Sequence, residues 1–380
     1  MKKTYLLAPG PTPVPPETLL EMARPIIHHR EPEFRPIFED CRAGLQYLFQ
    51  TQRDVVTLAS SGSGAMEAAV VNFLRRGDKA LYVNGGKFGE RWGKILTAFG
   101  CQAVEVAVEW GHAVDPAAVR AALDADPDIR AVYVQASETS TAVRHPVEEL
   151  AKLTRDRDVL LVVDGITAVG VFDLPMDRLG IDVLVTGSQK ALMLPPGLAF
   201  IAWSEKADRF LETSDLPRFY FDLATERKKQ RDNQTAWTPA VSLLVGLRDV
   251  LNRIRSETLE GVFARTARLA RATRAAAQAL GLELFAPDSP SDACTAITMP
   301  PGVDGQQLKK ALRERFGITV AGGQDQAKGK IIRIAHLGYA DTFDVVTAVS
   351  ALELALQGAG HPVELGAGVR AALAVLGEAT

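Results

Sequence analysis

The chain has 380 residues, 47% apolar and 23% charged, with a formal net charge of −3 and three widely spaced cysteines. That is enough chain for two domains and a large core, and the slightly negative balance argues against a nucleic-acid partner, which would need a strongly basic face. The cysteine spacing points to a reducing compartment without structural zinc. The apolar run behind Lys2 and Lys3 is too short for a signal peptide, and no stretch has the roughly 18 apolar residues of a membrane span, so a cytoplasmic protein without a membrane partner is expected.

In chain order, residues 9–16 (Pro-Gly-Pro-Thr-Pro-Val-Pro-Pro) are too proline-rich for a helix and predict an extended arm over residues 1–20. Such an arm packs on something, a partner subunit included. Apolar runs then predict strands at 54–59, 79–83, 102–108, 131–136, 159–164, 182–186 and 198–203, with helical patterns at 65–74, 89–99 and 146–155. The alternation implies an α/β fold, a mainly parallel seven-stranded sheet with helices on both faces. The connection from 190 to 198 is too short for a crossover helix, so one strand there should be antiparallel. This large domain (21–250) is followed by a long helical stretch over about 240–280, with 251–280 as the linking helix. A smaller α+β domain (281–380) follows, with strands at 295–299, 318–321 and 331–335 and helices at 305–316 and 342–357. A last helix, 363–376, has no evident use.

Chemistry-bearing residues sit at the ends of these strands. Ser60-Ser61-Gly62-Ser63-Gly64-Ala65-Met66-Glu67 suits a phosphate cup, because small residues let an anion approach the free N–H groups of a helix start. A plain strand-to-helix turn is the alternative. A nicotinamide fingerprint fails, because Glu67 stands where glycine or alanine is required. Phe88, in Asn84-Gly85-Gly86-Lys87-Phe88-Gly89-Glu90-Arg91, is placed to lie over a heteroaromatic ring or to pack into its own turn. The hydroxyls of Glu138-Thr139-Ser140-Thr141 suit hydrogen bonds to a ring oxygen or a carboxylate, or else helix capping. Asp164 ends one buried strand, and Gly187-Ser188-Gln189-Lys190 ends another. A carboxylate and an amine so placed are what pyridoxal phosphate requires, one for the pyridinium nitrogen and one for the Schiff base, although a lysine after a strand is also an ordinary surface residue. Arg333, within the apolar strand of Ile331-Ile332-Arg333-Ile334-Ala335-His336-Leu337-Gly338, suits a planar carboxylate or a structural salt bridge.

Together these motifs, in their order and spacing, resemble the class V, fold type I pyridoxal-phosphate aminotransferases, nearest to the alanine–glyoxylate and serine–pyruvate group. The resemblance implies Lys190 as the Schiff-base lysine and Asp164 as the partner of the pyridinium nitrogen. Ser61, Gly62, Ser63 and Gln189 would bind the phosphate, with Phe88 stacked on one ring face, Ile166 on the other and Thr139 near the ring oxygen. Arg333 would bind the substrate carboxylate. It further implies a homodimer with the site at the interface, where Thr235, with Gln234 and Thr238 near it, is the candidate to reach the partner's phosphate. Two departures stand out: Ala142 replaces a common glycine, narrowing the floor near the cofactor, and Ser63 replaces a histidine or threonine. The implied activity is ping-pong transamination of a small neutral amino acid, alanine or serine, with glyoxylate or pyruvate. Alternatives are a donor such as aspartate, for which Arg30, Arg35 or Arg227 would be the added cation, or a cysteine desulfurase on the same fold. The second is disfavoured by Gln189 before the lysine and by Cys294 at the start of a core strand.

Overall fold

A seven-stranded sheet forms the centre of the structure, a computed structural model in which residues 3–378 are described. In chain order the strands are β1 (Tyr5–Leu6), β2 (Val55–Leu58), β3 (Lys79–Asn84), β4 (Gln102–Ala107), β5 (Ile129–Gln135), β6 (Ser137–Glu138), β7 (Val143–Arg144), β8 (Leu160–Asp164), β9 (Val183–Gly187), β10 (Ala199–Trp203), β11 (Cys294–Thr298), β12 (Ile318–Thr319), β13 (Ala321–Gly322) and β14 (Ile331–Ala335). The large sheet runs β2-β10-β9-β8-β5-β3-β4. All of its pairings are parallel except those of β10, which is antiparallel to both neighbours, as the short connection before it requires.

Both faces are covered. Along β8, Leu161 and Val163 enter one core while Leu160 and Val162 enter the other, the period of two that a doubly covered strand imposes. The first core takes Phe34, Phe38, Cys41 and Leu45 of α2 (Phe34–Phe49), which follows α1 (Pro16–Met22). The second takes Ala65, Met66, Ala68 and Ala69 of α3 (Gly62–Val71) and Trp92 and Leu96 of α4 (Lys87–Ala98). Small alanines let α3 lie close on the sheet. Because β2, β3, β5, β8 and β9 share one direction, their carboxyl ends, and the starts of α3 and α4, fall on one edge.

Three elements depart from expectation. The stretch 318–321 is not one strand: β12 leaves the β11-β14-β13 sheet and pairs in parallel with β1, Tyr5 opposite Ile318, and Leu7 N–H donates to the Thr319 carbonyl at 2.8 Å. The arm thus packs on its own chain, and residues 16–20 already belong to α1, with Pro16 where a missing N–H costs nothing. The helical stretch 240–280 is two helices, Val241–Glu257 and Leu259–Ala279, broken at Thr258 (φ 68°), whose hydroxyl accepts from Gly261 N–H at 3.1 Å. The last helix, Ala367–Leu376, has a packing role, closing a core of Leu269, Ala272, Ala276, Val345 and Val349 with Ala372 and Leu376. Among the described residues no helix is long and apolar enough to cross a membrane.

Candidate active site

The β2 end turns through Ser60 and Ser61 into α3. Ser61 is the N-cap, extended at φ −85° and ψ 167°, and its side chain makes no capping bond, so the first-turn N–H groups keep their partial positive charge for an outside anion. The two glycines here leave little room for a side chain. A Cβ on Gly62 would stand 2.5 Å from Ile166 Cδ1, and one on Gly187 would stand 3.3 Å from Gly62 N and 3.2 Å from Gln189 Oε1. The cup, Ile166 and the β9 end therefore close on one another. Gln189 Oε1 is buried there without a hydrogen-bond partner among the described residues.

The second loop is fixed by Glu138, a residue not expected from its hydroxyl-rich motif to act through its carboxylate. Fully buried, that carboxylate accepts N–H bonds from Phe88 (3.1 Å), Gly89 (2.9 Å) and Ser140 (3.1 Å) and the Ser140 hydroxyl at 2.5 Å. Burial raises it above the usual carboxylate range, opposed by those bonds. Glu138 thus anchors the α4 start and the backbone of Phe88. Arg91, also outside the expected set, extends from the same helix. Its Nη1 donates to Ser63 Oγ at 2.8 Å, and its guanidinium lies 4.9 Å from the Phe88 ring centroid.

Asp164 is 4% exposed, and its Oδ1 accepts Ile166 N–H at 2.8 Å. Burial pushes it up to about 7; the Ile166 bond, Arg91 and Lys190 oppose this, and the Glu138 charge adds to it. Lys190 is pulled the other way, down to about 8, again chiefly by burial. Its Nζ donates to the Pro9 carbonyl at 2.5 Å, while Thr12 holds the neighbouring backbone, its hydroxyl donating to the Lys190 carbonyl at 2.8 Å and its N–H to that of Gln189 at 3.1 Å. Gly10 (φ +124°) lies so close that a Cβ there would overlap Nζ. Gly10→Ala is therefore expected to lower stability in denaturant unfolding by about 1–3 kcal/mol, from the strained φ together with the displaced amine.

Arg333 is 6% exposed on β14, paired to Ala296 and Ala321. Its Nη1 donates to the Thr139 carbonyl at 2.6 Å, and Nε and Nη2 to that of Gly322 at 3.2 and 2.8 Å. It has no carboxylate partner among the described residues, so the salt-bridge alternative does not hold. The Thr139 hydroxyl bonds that of Thr167 at 2.7 Å. Cys294 is fully buried, and burial pushes its thiol up to about 11. Ala142 adopts φ 61°, a left-handed conformation that explains why glycine suits this position, and its Cβ packs with Cys294, Ala296, Ala327 and Ile331.

Thr235 stands apart from this group. Its hydroxyl donates to the Trp237 carbonyl at 2.6 Å, and it borders a small cavity with Thr57, Leu58 and Ala59. Arg30 donates to Gln234 Oε1 and to the Thr235 carbonyl, both at 2.9 Å. Arg227 is taken up by an ion pair with Asp208 and by the Trp203 ring, and Arg35 is exposed.

A family model described as Aminotransferase class-V matches residues 4–348. A Synechococcus sp. (strain PCC 6716) protein named soluble hydrogenase, small subunit, is 42% identical over 99% of both chains. An L-aspartate–glyoxylate aminotransferase of Paracoccus denitrificans is 36% identical, covering 97% of this chain and 94% of its own. Among solved structures, pyridoxamine–pyruvate aminotransferase from Mesorhizobium loti superposes with a TM-score of 0.94 at 30% identity, over 99% of this chain and 97% of that one.

Proposed function

The chain belongs to the class-V aminotransferases, pyridoxal-phosphate enzymes of fold type I, and from that premise we propose a ping-pong transamination between a small neutral L-amino acid, alanine or serine, and glyoxylate or pyruvate. One observation carries the reading. An amine (Lys190), a carboxyl (Asp164), a guanidinium (Arg333) and an open helix start (α3) converge on one sheet edge; Asp164 and Arg333 are buried and Lys190 is half-buried, and none has an ion-pair partner among the described residues. Each is hydrogen-bonded, but a charge held away from water without a counter-charge is costly, and a ligand carrying the complementary charges offsets that cost.

The residues fit pyridoxal phosphate. Ser61, Gly62, Ser63 and Gln189 would hold its phosphate, with Phe88 and Ile166 on the ring faces and Thr139 beside the ring oxygen. Bound, the cofactor supplies an aldehyde for the donor amine and a ring that withdraws electrons from the donor's α-carbon. Asp164 would hold a proton at the ring nitrogen, and a positive charge there would draw its own pKa back down. Lys190 Nζ would take the proton from the donor's α-carbon and give it up to the cofactor's aldehyde-derived carbon, and would run the same transfer backwards for the acceptor; a pKa near 8 suits an amine that must both accept and release a proton close to neutrality. Arg333 orients the α-carboxylate. One fork for donor and acceptor carboxylates makes the two substrates use the site in turn, hence ping-pong. Arg333→Gln is expected to raise KM for the donor by roughly 10–100-fold, the worth of a charge-assisted hydrogen bond, in steady-state assays.

We further propose a homodimer in which Thr235 serves the partner's phosphate. Phe219 and Tyr220, 75% and 41% exposed, gather around Trp237 beside Thr235 and form an apolar patch suited to a second copy. Arg30, bound to that same segment, favours a second reading, in which it meets the distal carboxylate of an aspartate donor. The desulfurase alternative lacks a nucleophile, since the Cys294 thiol is buried and held protonated. Cys41, Cys101 and Cys294 lie in three separate cores, each thiol raised by burial, and no group of His, Cys, Asp and Glu among the described residues is placed to hold a metal, so the hydrogenase activity in the Synechococcus relative's name has no support in this chain's side chains. Half-reactions of the holoenzyme with alanine, serine, aspartate and glutamate test the donor. Conversion by alanine and serine supports the first reading, whereas conversion by aspartate alone overturns it in favour of the second.

A further inference from the structure

Arg91 is a half-buried cation with no carboxylate partner among the described residues. Its reach is specific: Nη1 donates to the hydroxyl of Ser63, in the first turn of α3, where the anion cup lies. A hydroxyl has one proton and two lone pairs. With a lone pair occupied by the guanidinium, the Ser63 proton is released for an acceptor in the cup, and the neighbouring positive charge makes it a stronger donor. The other side of the same guanidinium lies over the Phe88 ring, 4.9 Å from its centroid, so one side chain ties the cup to the stacking aromatic. Its charge is also felt at Asp164 and Lys190, lowering the pKa of each, which locates it within the site's field rather than on a remote surface.

We propose that Arg91 is a phosphate-binding residue of this site, acting by its own charge on a dianionic ester and by turning the Ser63 hydroxyl toward it. This rests on the reading of the cup as the phosphate site of pyridoxal phosphate. It also gives the side chain of Ser63 a task, donation under the direction of Arg91. A helix start alone favours any anion; a fixed guanidinium beside it adds preference for a doubly charged one.

The test compares pyridoxal phosphate with pyridoxal, which lacks the phosphate, on resolved enzyme, reading the dissociation constant of each by absorbance titration. Arg91→Gln is expected to reduce the preference for the phosphorylated form by about tenfold or more, leaving pyridoxal within about threefold of wild type, while Arg91→Lys recovers part of the preference. Ser63→Ala removes only the hydroxyl and is expected to reduce the preference by about threefold to tenfold, which keeps the test open if Arg91→Gln does not fold. An unchanged preference in Arg91→Gln, or in Ser63→Ala where that variant stands in, overturns the proposal, and so does a parallel loss of both ligands, which would make Arg91 a holder of Phe88 alone. If wild-type protein captures neither ligand, the cofactor-site reading itself has failed.

Discussion

Lys190→Ala is expected to leave a folded protein that does not develop the absorbance of lysine-bound cofactor and whose turnover falls by about 10²–10⁴-fold from loss of the proton-transferring amine alone. The fold should survive, because the amine's visible bond is a single one to the Pro9 carbonyl, worth about 1–3 kcal/mol. Lys190→Arg makes a sharper control: it keeps a cation near Pro9 but offers no neutral amine at any accessible pH. The pH dependence of wild type follows from the same group. With a pKa of about 8, roughly a quarter of Lys190 is neutral at pH 7.5, against about 0.1% of an ordinary lysine. Cofactor capture by resolved enzyme should therefore speed up as pH rises toward 8 and level off beyond it. A stopped-flow series over pH 6–9 reads this directly, and a rate still climbing steeply at pH 9 would contradict the depressed amine.

Asp164→Asn is the second large effect. The variant keeps size and hydrogen bonding but not the negative charge that holds a proton at the ring nitrogen. Turnover is expected to fall on the order of 10²-fold, the worth of one strong charge-assisted bond, with the cofactor still bound. Stability of the cofactor-free protein should move oppositely. The folded pKa of Asp164, about 7, lies above its unfolded value, so the native state binds the extra proton between about pH 4 and 7 and this group's contribution declines as pH rises through that window. Asp164→Asn removes the decline. In urea unfolding the gap between variant and wild type should widen in the variant's favour from pH 5 to 7, and a gap independent of pH would count against the raised pKa.

Much of this site was legible because it hangs on strand ends. An apolar run fixes where a parallel strand stops, and the polar residue after it must lie on the carboxyl edge; Asp164 and Lys190 follow from that. What was not legible depends on partners far away in sequence. The split of residues 318–322 is set by β1, more than 300 residues earlier, which claims Ile318 and Thr319 for a different sheet. The break at Thr258 carries no glycine or proline; it is made by a hydroxyl cap and by Leu259 N–H donating to Tyr47 Oη at 3.1 Å. The Glu138 carboxylate reads as one more polar residue until its donors, Phe88 and Gly89, arrive from about 50 residues earlier. The pairing of Phe88 with Arg91 was missed because the helix, expected from 89, starts at Lys87, which puts the two residues three apart on one helix face.

The central claim is that Lys190 is the residue that holds the cofactor. Reducing the holoenzyme with borohydride, digesting it and mapping the phosphopyridoxyl label by mass spectrometry tests this most directly. The label is expected on the peptide containing Gly187-Ser188-Gln189-Lys190, at Lys190 and in stoichiometric amount. No label, or a label on another lysine such as Lys87, would contradict it.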